Sequence, residues 1–281
     1  MTAPAEREVV VEGIMNLRDL GGLPTTDGHV VRRGLVHRSG HLGSLVAEQG
    51  PDGGGGRRAT PPDPRSLRAA GIRTGYDLRT EAEVTRSPDQ VPEGTEVRHL
   101  DVLADATESI AAHLEEVFAD PTRAERVFAD GVVERHYEQT YRNLVRLDSA
   151  REAYGRLFGE LARIEEPVLF HCTAGKDRTG WAAAALLTLL RVDRAAVVED
   201  YLHSNEPVLE GFAPLLDRFA DMGGDPRVLE PAFLVQRSYL DAAFDAVRAD
   251  HGSIERYFAE GLGVGAEEQE ALRRRLLVPE G

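Results

Sequence analysis

An apolar run, Pro167-Val-Leu-Phe-His171, leads through a loop of small and charged residues straight into an unbroken apolar stretch from Thr179 to Leu190. The first has the length of one buried strand and the second gives about three turns of buried helix, so a strand–loop–helix unit is expected at the centre of the core. That unit places the connecting loop, Cys172-Thr-Ala-Gly-Lys-Asp-Arg178, on a helix N-terminus. There the first backbone N–H groups have no intrahelical partner and the macrodipole presents partial positive charge, which suits an oxyanion. Gly175, beside the small Thr173 and Ala174, lets the loop curl so that its successive N–H groups point inward as an anion nest.

The side chains of the loop add chemistry to that cradle. Cys172 is the only cysteine and Lys176 the only lysine, although Lys and Arg together number 33. Arg178 supplies a planar fork that can bind two phosphoryl oxygens at once. A cysteine at a helix N-terminus beside cations favours the thiolate, its nucleophilic form. The expected reaction is attack of that sulfur on a phosphate ester to give a covalent phosphocysteine. An acid must protonate the leaving oxygen and a base must activate the water that clears the intermediate, and one carboxyl group can serve both steps. Asp177 is the nearest candidate. Asp105 is its rival, placed between a predicted strand (Val97–Leu103) and a predicted helix (Glu108–Phe118). On the residues alone, Asp177 also reads as a helix cap or an ion-pair partner. His171 reads as a core residue that hydrogen-bonds the loop. Thr179 reads as the helix N-cap, its hydroxyl near the cysteine sulfur. Lys176 adds positive field.

The same residues exclude other chemistries. A Walker loop needs Ser or Thr after Gly-Lys, whereas Asp177 follows Lys176. A thioredoxin-like site needs a second cysteine. A structural zinc site fails on the same count, and the nine histidines show no compact metal spacing, so no metal or cofactor is expected. Sulfur transfer also uses a cysteine loop, but Arg178 and Asp177 favour phosphoryl chemistry.

With 281 residues and 42% hydrophobic content, the chain can form one large or one and a half ordinary globular domains, and a single domain over 1–281 is expected. The net charge of −15 argues against nucleic acid as a partner and requires local field to overcome global repulsion at the loop. Asn16 to Arg38 carries four arginines against two aspartates and is expected near the loop. Glu199 to Asp250 carries eleven acids against four arginines and is expected mostly to face solvent. One cysteine suits a reducing compartment. Met1 to Val11 has no apolar signal region, and Trp181 to Leu190 is too short to span a bilayer, so a cytoplasmic location without stable membrane insertion is expected, with export by a signal-independent route left open.

Along the chain, Val9–Val11, Val30–Val36 and Ile72–Leu78 read as strands. Gln49–Arg65, with Gly53 to Gly56 and four prolines, reads as a flexible insertion. Glu108–Arg163 reads as mostly helical. Asp200–Gly252 reads as helices broken at Pro207, Pro214, Gly223-Gly224 and Pro226. Strands followed by helices indicate an α/β fold with a central, mainly parallel sheet flanked by helices and its site at the carboxyl ends of the strands.

His171 to Gly180, Asn16-Leu-Arg-Asp-Leu-Gly-Gly22, Arg32-Arg33-Gly34, Arg38-Ser39-Gly40, Gly71-Ile72-Arg73 with Asp77-Leu78-Arg79, and Asp200-Tyr-Leu-His-Ser-Asn205 together resemble the bacterial protein tyrosine phosphatase family that includes mycobacterial PtpB. The resemblance runs from about Val11 to Leu262. It implies a cysteine-phosphatase fold and a general acid inside the loop, hence Asp177 rather than Asp105. It also implies a helical lid, drawn from 108–163 or 200–250. The implied substrates are phosphotyrosine proteins or other phosphomonoesters, with inorganic phosphate as product. Lys176 is similar to lysines in lipid-phosphatase loops, so a phosphoinositide phosphatase is one alternative. A non-catalytic module that binds phosphorylated ligands is another.

Overall fold

A computed structural model describes residues 14–43, 67, 71–107, 128 and 131–280. Its central sheet has five strands: β1 (Arg18–Asp19), β3 (Val36–Ser39), β4 (Thr74–Asp77), β5 (Glu96–His99) and β6 (Val168–His171), with β2 (His29–Val31) and β7 (Leu277–Pro279) paired apart from it. The order across the sheet is β1-β3-β6-β4-β5. β6 is parallel to β3 and β4, and β4 is parallel to β5; only β1 runs antiparallel, to β3. The fold is therefore mixed α/β around a mostly parallel sheet.

The expected strand–loop–helix unit lies in its middle. β6 is buried along its whole length, as a continuous apolar run requires when both faces of the sheet are covered. Its side chains alternate. Val168 and Phe170 join the main core, whereas Leu169 joins a smaller cluster with Ile14, Leu17, Leu42, Leu67 and Ile72 on the other face. Helix α4 (Arg178–Leu189; α1–α3 are given below) follows the loop at once. Ten of its twelve residues are buried, because the helix is apolar all round and runs through the core rather than along its rim. Trp181 anchors it against Phe244 and Tyr257, with ring centroids 5.1 and 5.9 Å away.

The main core also takes residues from α2 (Val132–Arg146), α3 (Asp148–Leu161), α5 (Arg194–Leu202), α7 (Arg237–His251) and α8 (Ala266–Leu276), whereas α1 (Glu81–Arg86) and α6 (Asn205–Asp221) contribute none to it. The helical reading of 108–163 holds for the described part from Val132 to Leu161. The expected elements at Val9–Val11, Gln49–Arg65 and Glu108–Phe118 lie outside the described residues. No helix among the described residues is long and apolar enough to cross a membrane.

Two expectations about chain breaks are corrected. Val30–Val36 is not one strand: Gly34, at φ +77°, turns the chain between β2 and β3. Pro207 and Pro214 do not break their segment, since both lie within α6. Pro207 falls in the first turn, where its missing N–H has no intrahelical acceptor, and Pro214 costs one bond that tertiary packing offsets. The break comes at Gly223-Gly224, with a 3₁₀ turn at Pro226–Val228 following.

Candidate active site

The loop after β6 is held by its carbonyl groups. Asn16 Nδ2 donates to Ala174 O at 3.2 Å and to Gly175 O at 3.1 Å. Arg38 Nη2 donates to Gly175 O at 2.7 Å, and the His41 N–H donates to Thr173 O at 2.9 Å. No hydrogen bond among the described residues is donated by the N–H groups of Thr173 to Asp177. With three consecutive carbonyls tied outward, these N–H groups are left for an anion on the concave side. Gly175 has φ +70°, and a Cβ there would lie 2.4 Å from Ser39 O, so both backbone shape and space require glycine. Asn16, at φ 61°, occupies the left-handed conformation that asparagine tolerates better than most residues.

Arg38 is itself anchored in depth. It stands opposite Arg18 in the β1–β3 ladder, and both are fully buried. Two buried like charges side by side are costly unless a counter-ion meets them. Asp200, on α5, does so at 2.8 Å from Arg38 Nη1 and 3.9 Å from Arg18 Nη2, and Ser204 Oγ accepts from both arginines at 3.2 Å. The expectation that Glu199–Asp250 mostly faces solvent thus fails for Asp200, which is 1% exposed.

Cys172 sits at the floor of the cradle, 2% exposed. His171 is fully buried, with Nδ1 3.3 Å from Cys172 O and Nε2 3.1 Å from Asp89. Asp77, Asp89 and His171 bring their ligand-type atoms within 4.8 Å of one another. Arg79 already bonds both carboxylates, at 2.7 and 3.0 Å, so a guanidinium is the counter-ion they share.

Arg178 points its guanidinium end into a bidentate pair with Glu83, Nη1–Oε2 2.6 Å and Nη2–Oε1 2.8 Å. Thr173 Oγ1 also donates to Glu83. Glu83 is fixed on α1 by a capping box with Thr80. Burial opposes its charge, but the Arg178 guanidinium outweighs that and holds the Glu83 carboxyl well below the usual carboxylate range. In an unfolded chain a glutamate titrates at about 4.3. The pair therefore contributes its full stability above that pH and loses it as the pH falls towards the lower folded value. Glu83→Gln is expected to remove this part of the acid sensitivity, read as urea midpoints from pH 6 to pH 3; an unchanged slope against pH would count against the pair.

Asp177 occupies the N-cap position of α4 without capping it. Its carboxylate turns to Lys176 Nζ, 3.0 Å from Oδ1 and 2.8 Å from Oδ2, and accepts from Tyr141 Oη at 3.1 Å. The side chain of Lys176 is only 6% exposed. Its Nζ lies 4.4 Å from the centre of the Tyr137 ring and 3.3 Å from that hydroxyl. Burial works against the ammonium, but Asp177 more than offsets it, so Lys176 stays charged above the ordinary lysine range. Its charge is thus directed at Asp177. Asp105 is elsewhere: its carboxylate accepts from the N–H and hydroxyl of Ser149 at the start of α3. Thr179 is corrected from N-cap to second residue of α4, buried, its hydroxyl without a hydrogen-bond partner among the described residues.

Sequence reasoning missed Glu83, Tyr141 and the anchoring roles of Asn16 and Arg38. A Thr-x-x-Glu capping-box pattern at Thr80–Glu83 was visible and marks a helix start, but nothing local links it to Arg178. The N–H nest of the loop and the Arg178 fork can together bind a tetrahedral dianion over a thiol, with the Asp177 carboxyl beside it for proton transfer. The sequence profile described as the tyrosine phosphatase family matches residues 9–52 and 53–278. A protein named as a tyrosine-protein phosphatase in Cupriavidus necator is 30% identical over 274 residues, covering 92% of this chain and 85% of that protein. The triple specificity protein phosphatase PtpB of Mycobacterium tuberculosis is 30% identical over 273 residues, 88% of this chain and 91% of its own. A tyrosine-protein phosphatase of Nostoc commune is 29% identical over 228 residues, 78% and 71% respectively. The chain belongs to the tyrosine phosphatase family and is a phosphatase enzyme of that class.

Proposed function

We propose that the chain hydrolyses phosphotyrosine in proteins with broad specificity, through a phosphocysteine on Cys172. The N–H groups of the loop Thr173-Ala174-Gly175-Lys176-Asp177-Arg178 and the guanidinium of Arg178 bind the three terminal oxygens. Cys172 Sγ attacks phosphorus; the P–S bond forms as the P–O ester bond breaks, and Asp177 gives its proton to the leaving oxygen. Asp177 then takes a proton from water as that water attacks phosphorus. The P–S bond breaks, the thiolate is restored and inorganic phosphate leaves. His171 and Thr179 support the loop and the sulfur. The observation that carries this reading is the loop with its carbonyls tied outward above the chain's one cysteine.

The reading takes 1–281 as one phosphatase domain with an insertion at 49–65. α6 is the proposed lid. It packs through a small separate cluster, Phe219, Leu229 and Phe233, rather than through the main core, and Gly211 brings it against Met15, next to Asn16. Breadth of specificity is supported by the name of the mycobacterial relative. The phosphoinositide alternative leans on Lys176, and the turn of that side chain to Asp177 weakens it.

Hydrolysis of a phosphotyrosine peptide, a phosphoserine peptide and a phosphoinositide, compared in parallel with chelator present, tests the proposal. The expected ranking has the phosphotyrosine peptide first and the lipid last. Preference for the lipid would move the assignment to a phosphoinositide phosphatase, and no turnover with phosphate binding intact would make the chain a binding module.

A further inference from the structure

Asp177 lies at the end of a chain of buried hydroxyls. Tyr201, on α5, donates to Tyr141 Oη across 2.6 Å, and Tyr141, on α2, donates to Asp177 Oδ1 across 3.1 Å. The rings meet edge to face with centroids 6.0 Å apart, and neither residue is more than 1% exposed. Gly180 makes room for this contact, since a Cβ there would come within 3.2 Å of the Tyr201 ring. Tyr141 has one hydroxyl proton. With the Tyr201 proton arriving on its oxygen, that proton is committed to Asp177, and a hydroxyl that accepts one hydrogen bond donates the next more strongly.

The other groups facing Asp177 are Lys176 on the loop, Arg178 next to it on α4, Tyr154 on α3, and Tyr137 and Tyr239, stacked at 5.0 Å, from α2 and α7. Burial first, then Tyr201 and Asp177, hold the Tyr141 phenol far above its ordinary range, so it remains a neutral donor. Two donors of different kinds thus meet one carboxylate: a cation spanning both oxygens, and a neutral hydroxyl on Oδ1 alone. The cation can follow the carboxylate through its flexible stem. The tyrosine cannot, because its ring is locked between α2 and α5.

We infer that Tyr141, backed by Tyr201, is a positioning residue for Asp177: the relay fixes the orientation of the carboxylate through which the proton passes to the leaving oxygen and from the water. The inference rests on the reading of Asp177 as the acid and base. It also gives a purpose to Tyr201 in the Asp200–Asn205 segment, whose Asp200 and Ser204 hold the arginines behind the loop.

The test is the pH dependence of kcat/KM on an aryl phosphate for wild type, Tyr141→Phe, Tyr201→Phe and Asp177→Asn. Loss of one donor disfavours the carboxylate, so the acid stays protonated to higher pH. The alkaline limb is expected to move upward by about 0.5–1 pH unit in Tyr141→Phe and by less, in the same direction, in Tyr201→Phe. A merely structural role would lower the plateau and leave the limb in place, and that result overturns the inference. Tyr201→Phe keeps the direct donor to Asp177, so it decides the matter should Tyr141→Phe not fold. Asp177→Asn is expected to lose the limb. If it keeps the wild-type limb, the assignment of Asp177 fails and takes the relay with it, an outcome distinct from an unmoved limb in Tyr141→Phe alone.

Discussion

Cys172→Ser is expected to lose phosphoester turnover by on the order of 10⁴-fold or more while still binding inorganic phosphate. Serine is nearly isosteric at this fully enclosed position, so the loop and its carbonyl anchors from Asn16, Arg38 and His41 remain. What goes is the proposed nucleophile, because a hydroxyl at this place gains far less from the helix N-terminus and Arg178 than a thiol does. The measurement is steady-state turnover of an aryl phosphate beside phosphate binding by calorimetry. Substantial turnover by the purified variant would end the phosphocysteine mechanism, whereas loss of both turnover and binding would show that the loop had collapsed.

The second large effect is expected at Arg178. Arg178→Lys keeps a positive charge but replaces a planar fork with a single ammonium on a flexible stem. The bidentate pair with Glu83 is lost, and with it the orientation of the cation towards the anion nest. kcat/KM is expected to fall by about 10²–10³-fold, with phosphate affinity falling too. Glu83 pairs with the Nη1–Nη2 end of the guanidinium, which leaves the Nε side for phosphoryl oxygens. Glu83→Gln should therefore reduce activity by a smaller factor than Arg178→Lys. Equal losses in the two variants would mean that Arg178 acts only through its pair with Glu83.

Much of the central unit was legible because its signals are local. Four of the five sheet strands carry apolar or motif-bearing residues that the sequence flags, and the two-residue β1 lies within the flagged Asn16–Gly22 segment. α4 begins one residue before the expected Thr179. Pro207 and Pro214 misled because a proline signal states a backbone cost and not what packing offsets. Thr179 misled because the cap position belongs to the residue at which the chain leaves the loop, and the curl of the loop placed that one residue before Arg178, at Asp177.

The sequence by itself determined the candidate constellation: a lone cysteine, glycine and arginine at fixed spacing between an apolar strand and an apolar helix point to an anion cradle over a thiol, since every element involved is contiguous. Only the tertiary structure decided what holds and tunes it. Asn16 and Arg38 reach the loop from more than 130 residues away, Glu83 reaches Arg178 from 95, and Tyr141 and Tyr201 come to Asp177 on two different helices. Such contacts leave no periodicity or spacing in the chain. They follow from sheet order and helix packing, which bring distant polar groups together where burial makes an unpaired partner costly.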